Sequence, residues 1–310
     1  MKRTVLYSED KIAGLMLGIL LGDVLGAPFD NKRPDEIPPL DLNYLLDHPP
    51  KKYTDDTQMA ISVFEEMVEN GVIDQASLRD RFLRRFSSWR GYGGGMLEVI
   101  ERWRGGESTG VAASSLYNGS GSFGNGAAMR VAPICCFFGL DETAALYEQI
   151  NRCALLTHTH PYGIAGALLQ ASMVLFALND IPIEEWIDRI FKLPVESAFK
   201  IKLGSVVQCF ERKVTAHEAA KEIGNGSEAI EAVPAGLYAV LRHPESFIDA
   251  VLFAISMGGD TDTIGAMTGA LSGAFLGIEK LPEEVLDKIE NEDEGLDFIT
   301  SLVKKAFLTK

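Results

Sequence analysis

Residues 257–275 read MGGDTDTIGAMTGALSGAF. Two glycines break the chain, two aspartates flank a threonine, and a run of small and apolar residues follows. Glycines recur at 265, 269, 273 and 277. Spaced four apart, they fall on one helix face. Glycine is a poor helix former, so its repeated use needs a compensating reason. Close approach of a second backbone supplies one. Residues 10–26 repeat the pattern, with glycines at 14, 18, 22 and 26. Both segments are expected to be core helices packed against each other. The acids around both runs argue against the membrane reading of such spacing.

Working outward, the remaining pattern is helical. Amphipathic periods predict helices over 57–70, 75–90, 95–104, 126–138, 142–155, 161–178, 183–192 and 195–211. They continue over 215–222, 228–241, 245–256, 262–277, 282–291 and 295–307. Residues 28–52, rich in proline and polar side chains, predict a long irregular loop. No sustained two-residue period, fixed-length repeat or linker is visible. One all-α domain over residues 1–310 is the simplest organisation.

The 310 residues carry 46% apolar side chains, ample for a packed core, and a formal net charge of −15. That charge excludes nonspecific nucleic-acid binding, because one polyanion repels another. Cys135, Cys136, Cys153 and Cys209 show no metal-ligand rhythm and read as buried free thiols of a reducing compartment. The N-terminal AGLMLGILLG faintly resembles a signal segment. Glu9, Asp10 and Lys11 precede it and Asp23 follows within two residues, so a soluble cytoplasmic protein is expected.

Asp260 and Asp262 stand at a helix start, with no Lys or Arg between Arg242 and Lys280. A second such cluster is YTDDTQMAI, residues 53–61, with Thr54, Asp55 and Asp56 at another expected helix start. Capping offers an ordinary reading: Asp55 with Gln58 resembles a capping box, and Asp260 follows a Gly-Gly break. One carboxylate can cap a helix; four cannot all do so. If the clusters converge, their repulsion demands a cation. Carboxylate and hydroxyl oxygens suit Mg²⁺ or Mn²⁺, and two such ions would make a dinuclear site.

YNGSGSFGNGAAMR, residues 117–130, holds four glycines in eight residues before an expected helix. It can cradle a phosphate, with Phe123 free to stack on a base, or be a flexible turn with an asparagine cap. It fits neither the Rossmann nor the P-loop pattern. RGYGGG (90–95) and Gly224-Asn225-Gly226 are further glycine loops, and three such loops suit one extended polar ligand. His158 and His160, two apart, do not share a helix face. Hydrogen bonding to a ligand, or packing, suits them better than a zinc role. Nothing suggests covalent acyl chemistry.

Taken together, GDVLGAPFD (22–30), YTDDTQMA (53–60), RGYGGG (90–95), GSFGNGAAMRVAPI (121–134), LTHTHPYGIAGALLQA (156–171), IGNGSEAIEAVPAGLY (223–238) and SMGGDTDTIGAM (256–267) resemble the ADP-ribosylglycohydrolase family. The GSFGNGAAMR and GNG segments look closest to its ADP-ribosylserine and ADP-ribose-ester branch. The resemblance implies a single compact, orthogonal helical bundle around two Mg²⁺ ions. By position it implies metal ligands Thr54, Asp55, Asp56, Asp260, Asp262 and Thr263. It also implies substrate contacts from Tyr92, Gly93, Ser122, Phe123, Gly124, Asn125 and His158, with Phe123 beside the adenine. Asp30 stands where that branch carries a glutamate on a mobile loop, one methylene shorter, as a candidate for proton transfer alongside Asp55, Asp56 and Asp262. Asp23 is expected to support the ligands from behind.

The implied reaction is metal-dependent hydrolysis of the bond joining ADP-ribose to a serine or arginine side chain. The substrate would be an ADP-ribosylated protein or conjugate, with no nucleic-acid or membrane partner, and the enzyme a monomer. Rival readings are a hydrolase of O-acetyl-ADP-ribose or another small conjugate, a non-catalytic ADP-ribose binder, and a di-metal phosphatase.

Overall fold

The computed structural model describes residues 3–49, 52–291 and 294–308. In chain order its helices are α1 (Glu9–Gly26), α2 (Leu42–Asp47), α3 (Asp55–Asn70), α4 (Gln75–Arg85), α5 (Gly94–Arg104), α6 (Thr109–Ser114), α7 (Leu116–Gly119), α8 (Thr143–Ala154) and α9 (Pro161–Leu178). They continue as α10 (Trp186–Ile190), α11 (Ser197–Arg212), α12 (Ala216–Glu222), α13 (Ala229–Arg242), α14 (Phe247–Ser256), α15 (Thr261–Leu276), α16 (Glu283–Leu286) and α17 (Leu296–Leu308). No strand occurs among the described residues. Two isolated bridges, Lys32 with Gly259 and Gly124 with Glu228, are the extended contacts present.

The architecture is organised by one helix pair. α1 and α15 run antiparallel with their glycine faces together. A Cβ added at Gly14 would lie 2.3 Å from the Gly273 carbonyl oxygen, at Gly18 2.2 Å from that of Gly269, and at Gly22 2.0 Å from that of Gly265. At Gly26 it would lie 2.2 Å from the Thr261 oxygen. The expected pairing of the two stripes is therefore found, with backbone against backbone. Every residue of α1 from Ile12 to Gly26 is buried, as befits a helix that is apolar all round. α9, α13 and α14 pack around α15. The runs Glu9–Phe29 and Pro161–Leu178 are long and apolar enough to cross a membrane, but 89% and 78% of the apolar 18-residue stretch in each is buried inside the fold.

Several elements depart from expectation. The stretch 126–138 is two short 3₁₀ segments, Asn125–Arg130 and Ala132–Phe137. Pro133 has no N–H to continue an α-helical ladder. The loop 28–52 contains α2, whose N-cap Asp41 accepts from Tyr44 N at 2.7 Å. The helix expected over 282–291 ends at Leu286, and Lys288 and Ile289 close tight turns onto Val285 and Leu286. The four cysteines are free and buried, as packed thiols should be.

Candidate active site

The register of α1 on α15 sets Gly26 opposite Thr261. The acidic start of α15 thus lies beside the end of α1. α1 also organises the start of α3. Asp23, fully buried, accepts from the N–H groups of Thr54 and Thr57 at 3.0 Å and from Thr57 Oγ1 at 2.6 Å. It caps α3 from behind, the supporting role expected of it. The two helix starts therefore meet. Thr263 Oγ1, from α15, donates to Asp56 Oδ2 at 3.3 Å, and Thr54 Oγ1 donates to the same oxygen at 3.0 Å. The capping alternatives do not survive. Thr54 is the N-cap of α3, and Gln58 Oε1 accepts from the Tyr92 hydroxyl at 2.7 Å. Asp260 makes no side-chain cap bond; its Oδ2 accepts from Asn125 Nδ2 at 2.7 Å.

Asp30, Asp260 and Asp262 each bring a carboxylate oxygen within 4.8 Å of the others. The short Asp30 side chain therefore reaches the cluster. Its loop is pinned by paired backbone bonds, Asn31 N to Gly259 O and Gly259 N to Lys32 O, both 2.8 Å. Burial raises the carboxyl pKa of Asp23, Asp30, Asp55, Asp56 and Asp262. It pushes Asp23 up to about 6 against the hydrogen bonds of Thr57 and Thr54. Burial, with Asp23 and Asp260 close by, pushes Asp55 up to about 8. Burial, then the nearby Asp262, raises Asp56 well above the ordinary range, and burial, then Asp260 and Asp30, does the same to Asp262. Burial and Asp260 also raise Asp30. Asp56 Oδ1 is buried and has no hydrogen-bond partner among the described residues. An orphaned carboxylate oxygen among further carboxylates and two threonine hydroxyls fits a hard divalent cation.

A cleft of about 530 Å³ opens over this cluster. All three glycine loops line it, through Gly91 and Gly93, through Ser122, Gly124, Asn125 and Gly126, and through Gly226. The second and third are joined, since Asn125 N donates to Ser227 O at 2.9 Å and Ala229 N to Phe123 O at 3.1 Å. The phosphate-cradle expectation is narrowed accordingly. Asn125 N is committed, Gly124 N lies 3.3 Å from Ser122 Oγ, and a 3₁₀ segment follows where a long helix would carry a stronger dipole. Tyr92 is buried against Phe86 and supports α3 through Gln58, so it stands behind the cleft wall. Phe123 packs beside the cleft between Tyr117 and His160, with ring centroids 5.6 and 5.7 Å away.

Among the lining residues that sequence reasoning missed are Tyr117 and Arg130. Tyr117 presents a half-exposed ring from a left-handed turn, with φ 53° followed by φ 58° at Asn118. Its signal was an aromatic next to Asn-Gly. Arg130 is 1% exposed, and Coulombic attraction from its guanidinium partly offsets the upward shift of Asp55. Its distance along the chain from both acidic clusters hid it. One guanidinium does not balance these aspartates, so a divalent cation still fits the cluster. The histidines divide their duties. His160 caps α9, its Nδ1 accepting from Tyr162 N at 3.1 Å. His158 lines the cleft, and burial and Arg130 push it down to about 3, so it is neutral.

These shifts predict a pH effect. A carboxyl group whose folded pKa is raised binds more protons folded than unfolded above its ordinary value, so stability falls as pH rises. The depressed His158 acts oppositely, but mainly below its ordinary 6.5. Between pH 6.5 and 8 the opposing contribution of His158 and His243 fades and the carboxylates dominate. The metal-free protein is expected to melt at a lower temperature at pH 8 than at pH 6.5, and Mg²⁺ to raise that temperature more at pH 8. Calorimetric scans with and without EDTA check this; equal melting temperatures in all four conditions would contradict it.

The ADP-ribosylglycohydrolase family model matches residues 5–309. ADP-ribosylhydrolase ARH3 of Xenopus tropicalis is 32% identical over 313 residues, spanning 88% of this chain and 89% of that protein. ADP-ribosylhydrolase ARH3 of Bos taurus is 30% identical over 336 residues, spanning 93% and 90%. A solved structure described as an ADP-ribosylglycohydrolase-related protein complex shares the fold, with a TM-score of 0.74 at 24% identity over 97% of this chain and 98% of that one.

Proposed function

Because the chain belongs to the ADP-ribosylglycohydrolase family, we propose that it hydrolyses the bond between ADP-ribose and a protein side chain, serine- or arginine-linked. The reaction depends on two divalent cations, Mg²⁺ or Mn²⁺. The observation that carries this reading is the meeting of Asp56 and Thr263 under a cleft lined by three glycine loops. Thr54, Asp55, Asp56, Asp260, Asp262 and Thr263 would hold the cations, whose chemistry is to offset carboxylate charge and polarise oxygen atoms.

The chain's own residues do the rest. Tyr117 and Phe123 offer ring faces to the adenine. Ser122, Gly124 and Asn125 border the diphosphate, with Arg130 as the fixed positive charge. Binding these remote parts orients the distal ribose at the acidic end. There water adds to the anomeric carbon, the bond from that carbon to the side-chain oxygen or nitrogen breaks, and the departing atom takes up a proton. To Asp30 we assign the movement of that proton; its seat at the exposed edge of the cluster and its raised pKa support this.

The test is a panel of serine-linked, arginine-linked and acetylated ADP-ribose, assayed with Mg²⁺, with Mn²⁺ and after chelation. The expected result is release of free ADP-ribose from a protein-linked substrate, abolished by EDTA and restored by metal. Turnover of the acetyl ester alone would favour the small-conjugate reading. AMP among the products would mean diphosphate cleavage, and tight binding without turnover a binding protein.

A further inference from the structure

At the cleft wall Arg130, Thr157 and His158 form a hydrogen-bonded chain whose effect on the imidazole the reaction scheme leaves unused. Arg130 Nη1 donates to Gly126 O at 2.6 Å. Its Nη2 donates to Cys153 O at 3.0 Å and to Thr157 Oγ1 at 2.7 Å. Thr157 Oγ1 in turn lies 2.7 Å from His158 Nδ1. Arg130 and Thr157 are 1% and 2% exposed, so water does not substitute for these partners. The far side of the imidazole faces the glycine loop, where a Cβ on Gly126 would lie 3.4 Å from His158 Nε2.

A guanidinium has donors only, so Thr157 Oγ1 must accept from it. The hydroxyl then has one hydrogen to place. Among the described residues, His158 Nδ1 is the acceptor within reach. With a proton on Nδ1, that buried hydroxyl hydrogen would have no acceptor, which carries a free-energy cost. With Nδ1 bare, the Thr157 hydroxyl accepts from Arg130 Nη2 and donates to His158, so both of its hydrogen bonds are made.

We propose that Arg130 and Thr157 act as positioning residues that hold His158 in its Nε2–H tautomer, so that the cleft presents a fixed, neutral donor for a ligand oxygen beside the glycine loop. The chemical class it selects is an acceptor, a phosphate or ribose oxygen; a group that can only donate finds no partner there. The ligand side of this inference rests on the function proposed above, whereas the tautomer does not.

Two measurements test it. In the ligand-free protein, ¹⁵N spectra of labelled histidine are expected to show His158 protonated at Nε2 and bare at Nδ1. In Thr157→Val, nearly the same shape without a hydroxyl, a share of the Nδ1–H form is expected to appear. Kd for ADP-ribose with Mg²⁺ should then rise roughly three- to tenfold as the competent fraction falls. Thr157→Ser should restore both, and in a His158→Ala background Thr157→Val should add no further loss. An Nδ1–H signal in the wild-type protein, or wild-type affinity and tautomer in Thr157→Val, would overturn the proposal. If Thr157→Val does not fold, the wild-type spectrum still decides the tautomer. Absence of any ADP-ribose binding would instead count against the function.

Discussion

Asp55→Asn and Asp262→Asn, made singly, are each expected to lower ADP-ribose release by on the order of a thousandfold, the scale of losing one preorganised electrostatic group. The change keeps the shape and removes one charge. Both carboxylates line the cleft, one from the start of α3 and one from the start of α15. Under the proposed reading, losing either would weaken the oxygen donor set from one side. The same change should stabilise the metal-free fold at pH 8, because burial and neighbouring acids push both carboxyl groups up. Loss of activity with an unchanged or higher melting temperature is the expected pair of results. Full activity in both variants would remove these residues from the site. A collapse of the fold would mean that they are structural.

Gly22→Ala is expected to cost about 3 kcal/mol or more, at the upper end for an added methyl group in a packed core. Its Cβ would sit 2.0 Å from the Gly265 carbonyl oxygen, and a backbone atom on a core helix has nowhere to go. Adding Gly18→Ala, 2.2 Å from Gly269 O, is expected to exhaust a typical stability of roughly 5–15 kcal/mol. Gly204→Ala is the control. That glycine lies within α11 with no atom within 4 Å of its added Cβ, so alanine should stabilise by roughly 0.5–1 kcal/mol. Urea midpoints for the three variants decide the matter; a Gly22→Ala protein as stable as Gly204→Ala would refute the close-contact account. Activity should fall with stability in Gly22→Ala, because the contact that seats α15 on α1 also sets Asp260 and Asp262 against the start of α3.

Legibility along the chain follows the range of the forces involved. The glycine stripes were readable because a four-residue spacing is a local property of a helix, and its energetic cost implies a partner. α9 was readable over 161–178 because Pro161 starts it and an unbroken apolar run fills it. The stretch 126–138 misled because its composition is helical while Pro133 breaks the ladder. The family resemblance implied a substrate contact from Tyr92, yet its hydroxyl is spent on Gln58. Asp55 looked like a cap, but Thr54, with Asp23 behind it, took that role.

What the sequence determined by itself was the kind of fold and the kind of chemistry. Helical periodicity and small-residue faces are written in neighbouring residues, and so is an excess of oxygen donors at two helix starts. Which carboxylate meets which hydroxyl, that Asp30 reaches the cluster, and that Arg130 stands behind His158 were decided only by the tertiary structure. Those contacts join residues tens to hundreds of positions apart, and their geometry is set by how closely α1 and α15 pack, a distance that no local pattern encodes.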